Sequence, residues 1–281
     1  MGIYKMSAIL TTHGGKISSC AKISEYTDAH MNKLPTKLPC LLAVALSLIL
    51  LPQQGWADKV RVAVASNFAA AIGRVAEQFE AQTGHSIMIS SGSTGKHYAQ
   101  IRQGAPFDIF LAADSHHAQL LEQQGVAKAG SRFTYAVGEL VLWSPNSATV
   151  DSNILKQENF RYLAIANPRL APYGRAARQV LKQFDLWNQL SSKIVRGENI
   201  SQTFQFVHSG NAQLGFIARS QLAQLDGATE GSYWQIPQAL YAPIQQQAVL
   251  LNDLDAAKAF LAYIKTEQAL EIIQGFGYGT P

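Results

Sequence analysis

The chain carries no cysteine beyond position 40, its two being Cys20 and Cys40. Everything after the first segment therefore lacks a disulfide framework, although it would suit an oxidising compartment. Neither GxGxxG nor a P-loop follows an apolar β-type run, so the common nucleotide cradles are missing. There is no basic stripe and no case for a nucleic-acid partner. The histidines are scattered. His116 and His117 are adjacent on an expected helix and diverge by about a quarter turn, while His85, His97 and His208 stand alone, so no metal site is expected. Spacing suggests no Ser-His-Asp set and no convergent acid–base pair. Internal repeats, low-complexity segments and Pro-rich linkers are also absent.

What is present begins with a leader. Residues 31–37 (MNKLPTK) are basic, 38–52 form an apolar run containing LLAVALSLILL, and Gly55 and Ala57 are small residues before Asp58. This is the three-part layout of a secretory signal peptide. The run falls short of the ~20 residues of a membrane span, so cleavage after Ala57 is expected and an uncleaved anchor is the weaker reading. Residues 1–30 precede a complete signal and are expected to be a misassigned N-terminal extension, with the true start at Met31. Cys40 lies at the start of the apolar run rather than its end, which argues against lipidation. Residues 1–57 hold five of the 23 Lys and Arg and two of the 19 Asp and Glu. The exported part is thus near neutral, and the formal +4 of the whole chain comes largely from the leader.

After Asp58, strand and helix patterns alternate. Strands are expected at 60–65, 85–90 and 107–112, and helices at 68–82, 94–103 and 115–124, the helices closed by Gly84, Gly104 and Gly125. A second unit follows. It has strands at 135–143, 162–166 and 214–217, helices at 175–184 and 202–208, a return strand at 241–251 and a long helix at 255–274 capped by Asp253 or Asp255. Such alternation implies mostly parallel sheets covered by helices on both faces. Two lobes are expected, lobe one at 58–136 plus 244–281 and lobe two at 137–243, joined by strands rather than by a tether.

Two strand-to-helix junctions carry the chemistry. Ser66 and Asn67 end the VRVAVA strand, and Ser93-Thr94-Gly95 follow the second strand within SSGST. The ordinary role of such residues is helix capping, worth ~1 kcal/mol. Gly92 and Gly95 would also let a ligand approach the backbone. Both junctions lie at C-terminal strand ends, where open α/β sheets bind ligands. Helix N-termini offer unpaired N–H groups and partial positive charge. Two further junctions, 167–174 (NPRLAPYG) and 198–201 (ENIS), supply N–H groups at Tyr173, Gly174 and Ile200. Together they suggest a donor-only pocket for a small oxyanion. Arg175 and Glu198 lie near these loops and leave a charged site open.

The set VASNF, SSGSTGK with YAQI, GAPFDIFLAAD, GSRFTYAVGELVLWS and ANPRLAPYG resembles the periplasmic molybdate-binding proteins of ABC-type importers, over nearly all of 58–281. The resemblance implies a type II periplasmic binding-protein fold: two α/β lobes, two crossover strands as hinge, and an anion in the cleft. It places the ligand contacts at Ser66, Asn67, Thr94, Tyr173 through its N–H and Ile200 through its N–H. Some members add a tyrosine hydroxyl from an LGxxY strand. Here the segment is LGFIA and the position is Ala218, so the chain resembles the branch that uses Asn67 instead.

The resemblance implies no catalysis, no cofactor, no direct metal ligand and no nucleic acid. Its ligand is molybdate or tungstate, with the metal held only as its oxyanion. Its partner is a membrane permease, and the protein is expected to be monomeric. Two other functions compete. One is a binding protein of the same fold for another oxyanion or a small organic acid, marked by a cleft arginine or carboxylate. The other is an exported hydrolase, marked by a cleft acid–base pair.

Overall fold

Parallel pairs that stop in register organise the molecule. The computed structural model describes residues 57–225 and 231–279, all within one unit, Trp56–Pro281. The expected extension at 1–30 and all of the expected signal but its last residue lie outside the described residues.

In chain order the strands are β1 (Lys59–Ala65), β2 (Ser86–Gly92), β3 (Ile109–Ala112), β4 (Phe133–Gly138), β5 (Leu140–Ser144), β6 (Leu163–Ala166), β7 (Ile194–Gly197), β8 (Leu214–Ala218), β9 (Ser232–Gln235) and β10 (Ile244–Leu250). The helices are α1 (Ala69–Thr83), α2 (Thr94–Arg102), α3 (Ser115–Gln123), α4 (Asn153–Gln157), α5 (Pro172–Gln183), α6 (Leu186–Gln189), α7 (Ile200–His208), α8 (Arg219–Leu222), α9 (Asp255–Tyr263) and α10 (Glu267–Gly275).

Two five-stranded sheets form, ordered β2-β1-β3-β10-β4 and β7-β6-β8-β5-β9. In each, four strands run one way. The fifth, β10 or β5, is antiparallel to both of its neighbours. The VRVAVA alternation buries both faces. Val60, Val62 and Val64 meet Phe68, Ile72, Val75 and Phe79 on one side, and Ala63 meets Phe110 and Leu121 on the other. The second sheet is covered likewise, by Val180 and Leu181 of α5 on one face. On its other face Trp143 stacks on Phe204 of α7, ring centroids 5.3 Å apart.

Three expectations change. The single strand expected at 135–143 is two strands separated at Glu139, because β4 pairs with β10 in one sheet and β5 with β8 in the other. The long helix expected at 255–274 is two helices, because Thr266 accepts the Ala269 N–H and starts α10 afresh. Neither Asp253 nor Asp255 caps α9: its N-cap is Leu254, and Asp255 is the first helical residue. Short elements at α4, α6, β7 and β9 had no clear periodic signal.

The loop after β6 is tightly built. A Cβ at Gly174 would lie 2.1 Å from the Ala166 carbonyl oxygen, so only glycine lets α5 sit down on the end of β6. Gly174→Ala should destabilise the fold by about 1–3 kcal/mol through overpacking. Gly73→Ala, at a helical site with nothing within 4 Å, should instead stabilise by about 0.5–1 kcal/mol. Denaturant titration of the two variants checks the contrast, and equal effects would contradict it.

Candidate anion-binding site

Ala65 of β1 is level with Gly92 of β2, and Ala166 of β6 is level with Gly197 of β7. Each pair delivers two chain turns at one height. The chain leaves β1 through a 3-10 turn, Ser66–Phe68, that runs into α1. It leaves β2 through Ser93 into α2. On the other side, the loops after β6 and β7 enter α5 and α7. Four helix starts thereby surround one pocket.

Ser66, Asn67, Thr94, Tyr173 and Ile200 all line that pocket, together with Ser93, Asn199 and the small residues Ala65, Gly92, Ala113, Ala171 and Pro172. The cavity is about 10 Å³, roughly the space that one water requires. Nothing as large as a sugar or an amino acid enters it without the walls moving.

The first N–H groups of a helix have no partner within it. Pro172 is the first residue of α5 and has no N–H, so Tyr173 supplies its first donor. Asn199 caps α7 by accepting the Gln202 N–H at 2.9 Å, which leaves the Ile200 N–H free of that cap. Thr94 Oγ1 accepts the Ala113 N–H at 3.0 Å, so its own hydroxyl hydrogen remains to be given. Simple capping does not explain the serines. No side-chain cap bond forms at the Ser66 turn or at α2, and Ser93 Oγ is buried with no partner. The Ile200 side chain packs in the core.

Asn67 differs from the rest. Its Nδ2 donates to Gln246 Oε1 at 2.8 Å and to Tyr278 OH at 3.1 Å. Both amide hydrogens are committed away from the pocket, which leaves the backbone N–H as its donor there.

No charged side chain lines the pocket. Arg175 instead ion-pairs with Asp114, which also caps α3 and meets His117 Nδ1 at 2.9 Å. Burial pushes the Asp114 carboxyl upward, but His117 and Arg175 outweigh it and hold the group below the usual carboxylate range. Glu198 pairs with Lys96 at 2.9 Å. Both residues that could have marked a charged site thus face partners from the opposite lobe. Gly95 belongs to the same seam. Its N–H donates to Leu170 O at 2.9 Å, and a Cβ there would lie 3.1 Å from that oxygen. Its smallness serves the approach of the lobes. Among the described residues no cluster of three or more His, Cys, Asp and Glu is placed to hold a metal.

The structure adds residues that the sequence pattern did not mark. Ser201 Oγ donates to Ser66 O at 3.1 Å. Tyr278 OH donates to Asn67 O at 2.6 Å, and its ring meets Phe68 edge-on at 5.2 Å. The C-terminal tail thus pins the Asn67 turn and is itself anchored by the Val137–Gly279 bridge. Tyr278 stands 211 positions from Asn67, so no local signal reveals it.

His97 lies directly beneath the second turn, buried, with Nδ1 3.1 Å from Gln100 Oε1 and Nε2 unpartnered. Desolvation lowers its pKa, so the folded protein holds it neutral. An unfolded histidine titrates near ~6.5. The stability that the neutral ring contributes is complete above that value and is lost as pH falls from it toward the lower folded pKa. The depressed Asp114 loses its contribution only below the ordinary carboxylate range. Denaturant titrations should therefore show stability declining from pH 7.5 to 5.5, and His97→Gln should remove most of that slope. A slope unchanged in the variant would assign it elsewhere.

The family described as bacterial extracellular solute-binding protein matches residues 60–279. The molybdate-binding protein ModA of Azotobacter vinelandii is 49% identical over 243 residues, covering 85% of this chain and 96% of that protein. The ModA of Rhodobacter capsulatus is 44% identical over 244 residues, 85% of this chain and 95% of its own. The solved periplasmic molybdate-binding protein of Azotobacter vinelandii superposes with a TM-score of 0.76 at 41% identity, over 79% of this chain and 99% of that one. With two five-stranded α/β lobes around a donor-lined cleft, the chain belongs to the bacterial extracellular solute-binding proteins, in the molybdate-binding family.

Proposed function

We propose that the protein captures molybdate, and tungstate with it, in the cleft and delivers the ion to the membrane permease of an ABC importer. The observation that carries this reading is the pocket itself: four helix starts and the three hydroxyls of Ser66, Ser93 and Thr94, with no carboxylate and no cation. Molybdate and tungstate are fully deprotonated tetrahedral dianions at neutral pH and only accept hydrogen bonds. Phosphate often keeps a proton there and then needs an acceptor, which this lining lacks. Sulfate is also an acceptor only, and cavity size alone rejects it. The site residues are Ser66 and Thr94 through hydroxyl and N–H groups, and Asn67, Tyr173 and Ile200 through N–H. Ser93 Oγ stands ready as a further donor.

The protein works as a monomeric carrier in the periplasm and performs no chemistry on its ligand. Its lobes, 58–136 plus 244–281 and 137–243, close about the two crossovers. Processing after Ala57 gives a mature N-terminus of DKVRVAVAS. N-terminal sequencing of exported protein checks this, and retention of Met31 would refute it.

Molybdate and tungstate should raise the unfolding temperature, because they bind only the folded state. At one hundred times the dissociation constant the gain is ~2.7 kcal/mol. Sulfate at equal concentration should protect far less. Equal protection by sulfate would favour a general oxyanion carrier.

Thr94→Val removes a hydroxyl donor at constant shape and should weaken molybdate binding by ~1–3 kcal/mol. Ile200→Val should leave it nearly unchanged. Titration calorimetry separates the two, and the reverse order would reverse the side-chain and backbone roles. Affinity should be flat from pH 5 to 9, because no titrating group touches the ion. A binding step with proton uptake inside that range would implicate a titrating side chain in the site and overturn the neutral-donor reading.

A further inference from the structure

A second hollow lies on lobe two, beside the cleft seam. It is about 410 Å³ and is lined by Asn167, Pro168, Arg169, Arg178, Trp187 and Arg196. Three arginines and no carboxylate face it. Five other arginines of the described chain, Arg61, Arg74, Arg132, Arg175 and Arg219, sit in ion pairs. Among the described residues Arg169, Arg178 and Arg196 form none, as is also true of Arg102 and Arg161 elsewhere. Glu198, two residues beyond Arg196, is already taken by Lys96. Asp185 lies in an adjoining hollow, where it faces Lys182 as well as Arg178.

The guanidinium groups are also positioned. The Arg178 guanidinium carbon lies 5.3 Å from the Trp187 ring centroid and that of Arg196 lies 6.0 Å from it. Cation–π contact holds both over one indole. A planar guanidinium held this way keeps its fork of N–H donors for an oxyanion.

The place of the hollow ties it to the inner pocket. The loop 167–174 serves both: Asn167, Pro168 and Arg169 line the outer hollow, and Ala171, Pro172 and Tyr173 line the inner one. Between them, Leu170 takes the Gly95 N–H across the seam. The exported chain is near neutral overall, so three unpaired cations at the lip make a local field with little competing net charge.

We propose that this hollow is an outer oxyanion site, in which Arg169, Arg178 and Arg196 collect the dianion at the lip of the cleft before it enters the neutral pocket. The proposal rests on the oxyanion-carrier reading above. The two sites divide the work. The outer one is open to solvent, so its hold is weak and screened by salt, and it acts on the rate of capture. The inner one, small and uncharged, sets the residence time.

Stopped-flow binding of molybdate to the exported protein tests this. The Arg169→Gln/Arg178→Gln/Arg196→Gln variant is compared with Lys59→Gln/Lys128→Gln/Lys265→Gln, which removes equal charge from the opposite end of the first sheet. At low salt the arginine variant should associate about tenfold more slowly, with its dissociation rate unchanged. The difference should vanish near 1 M salt, where the Debye length is about 3 Å. The lysine variant should change less than twofold.

In the wild type, sulfate added after one equivalent of molybdate should shift the Nε–H NMR signals of the three arginines. Wild-type association in the arginine variant, an equal loss in both variants, or absent arginine shifts would each overturn the outer site. Normal association combined with failed transport in reconstituted vesicles would assign the arginines to an acidic protein surface and would likewise overturn it. A wild type that binds no molybdate fails the earlier reading instead.

Discussion

The unpaired N–H group at the start of a helix is the constraint on which the site depends. Such a group is strongly polar and is costly to bury without a partner. Most helices solve the problem with a capping side chain or water. Here several starts are brought to one small cavity, where water has little room, and the Ser93 hydroxyl beside them does not cap. Ser93 Oγ is left unpartnered, and Thr94 Oγ1 accepts from the Ala113 N–H, which leaves its own hydrogen to be given. The pocket is therefore unsatisfied by design of the backbone. The group that satisfies it is a compact acceptor that brings no protons of its own.

That convergence follows from register. Parallel strands that end level put their turns side by side, and β1 with β2 and β6 with β7 both do so. The lobes then meet through small contacts placed around the cavity, not within it. Lys96 meets Glu198, Arg175 meets Asp114, Gly95 meets Leu170 and Ser201 meets Ser66. Keeping the formal charges in this outer ring avoids the large desolvation penalty of a buried ion pair. It also leaves the interior with dipoles alone, whose hold on a dianion strengthens as water is excluded.

Much of this was legible in the residues. The apolar composition of FDIFLA indicates a strand buried on both faces, and the small hydroxyl residues after VRVAVA and within SSGST mark the junctions. Tyr173 and Ile200 could be placed because a helix start has donors whatever its side chains are. What the pattern could not carry was long-range. The tail residue Tyr278 reaches Asn67 across most of the chain, and it changes the role of that asparagine. The resemblance sets Asn67 in the place of a tyrosine hydroxyl, but the fold spends both of its amide hydrogens on Gln246 and Tyr278. The break at Glu139 was hidden for a related reason. Residues 135–143 are uniformly strand-forming, and only the existence of two sheets divides them.

A site built from neutral donors also explains why closure should follow the ligand. With the cavity empty, the closed arrangement points several partial positive charges at one another and strips them of water. With the lobes apart, those same N–H groups are solvated. An empty closed state is therefore penalised, and the surrounding ion pairs, half-exposed as Lys96 and Glu198 are, return too little to offset it. A dianion held in the pocket would reverse the balance, because it would meet donors of both walls only when they are together. A ligand shifts a conformational equilibrium by no more than its differential affinity for the two states. On the proposed reading nearly all of the contact free energy would be differential, since Ser66, Asn67 and Thr94 line one wall of the pocket and Tyr173 and Ile200 the other.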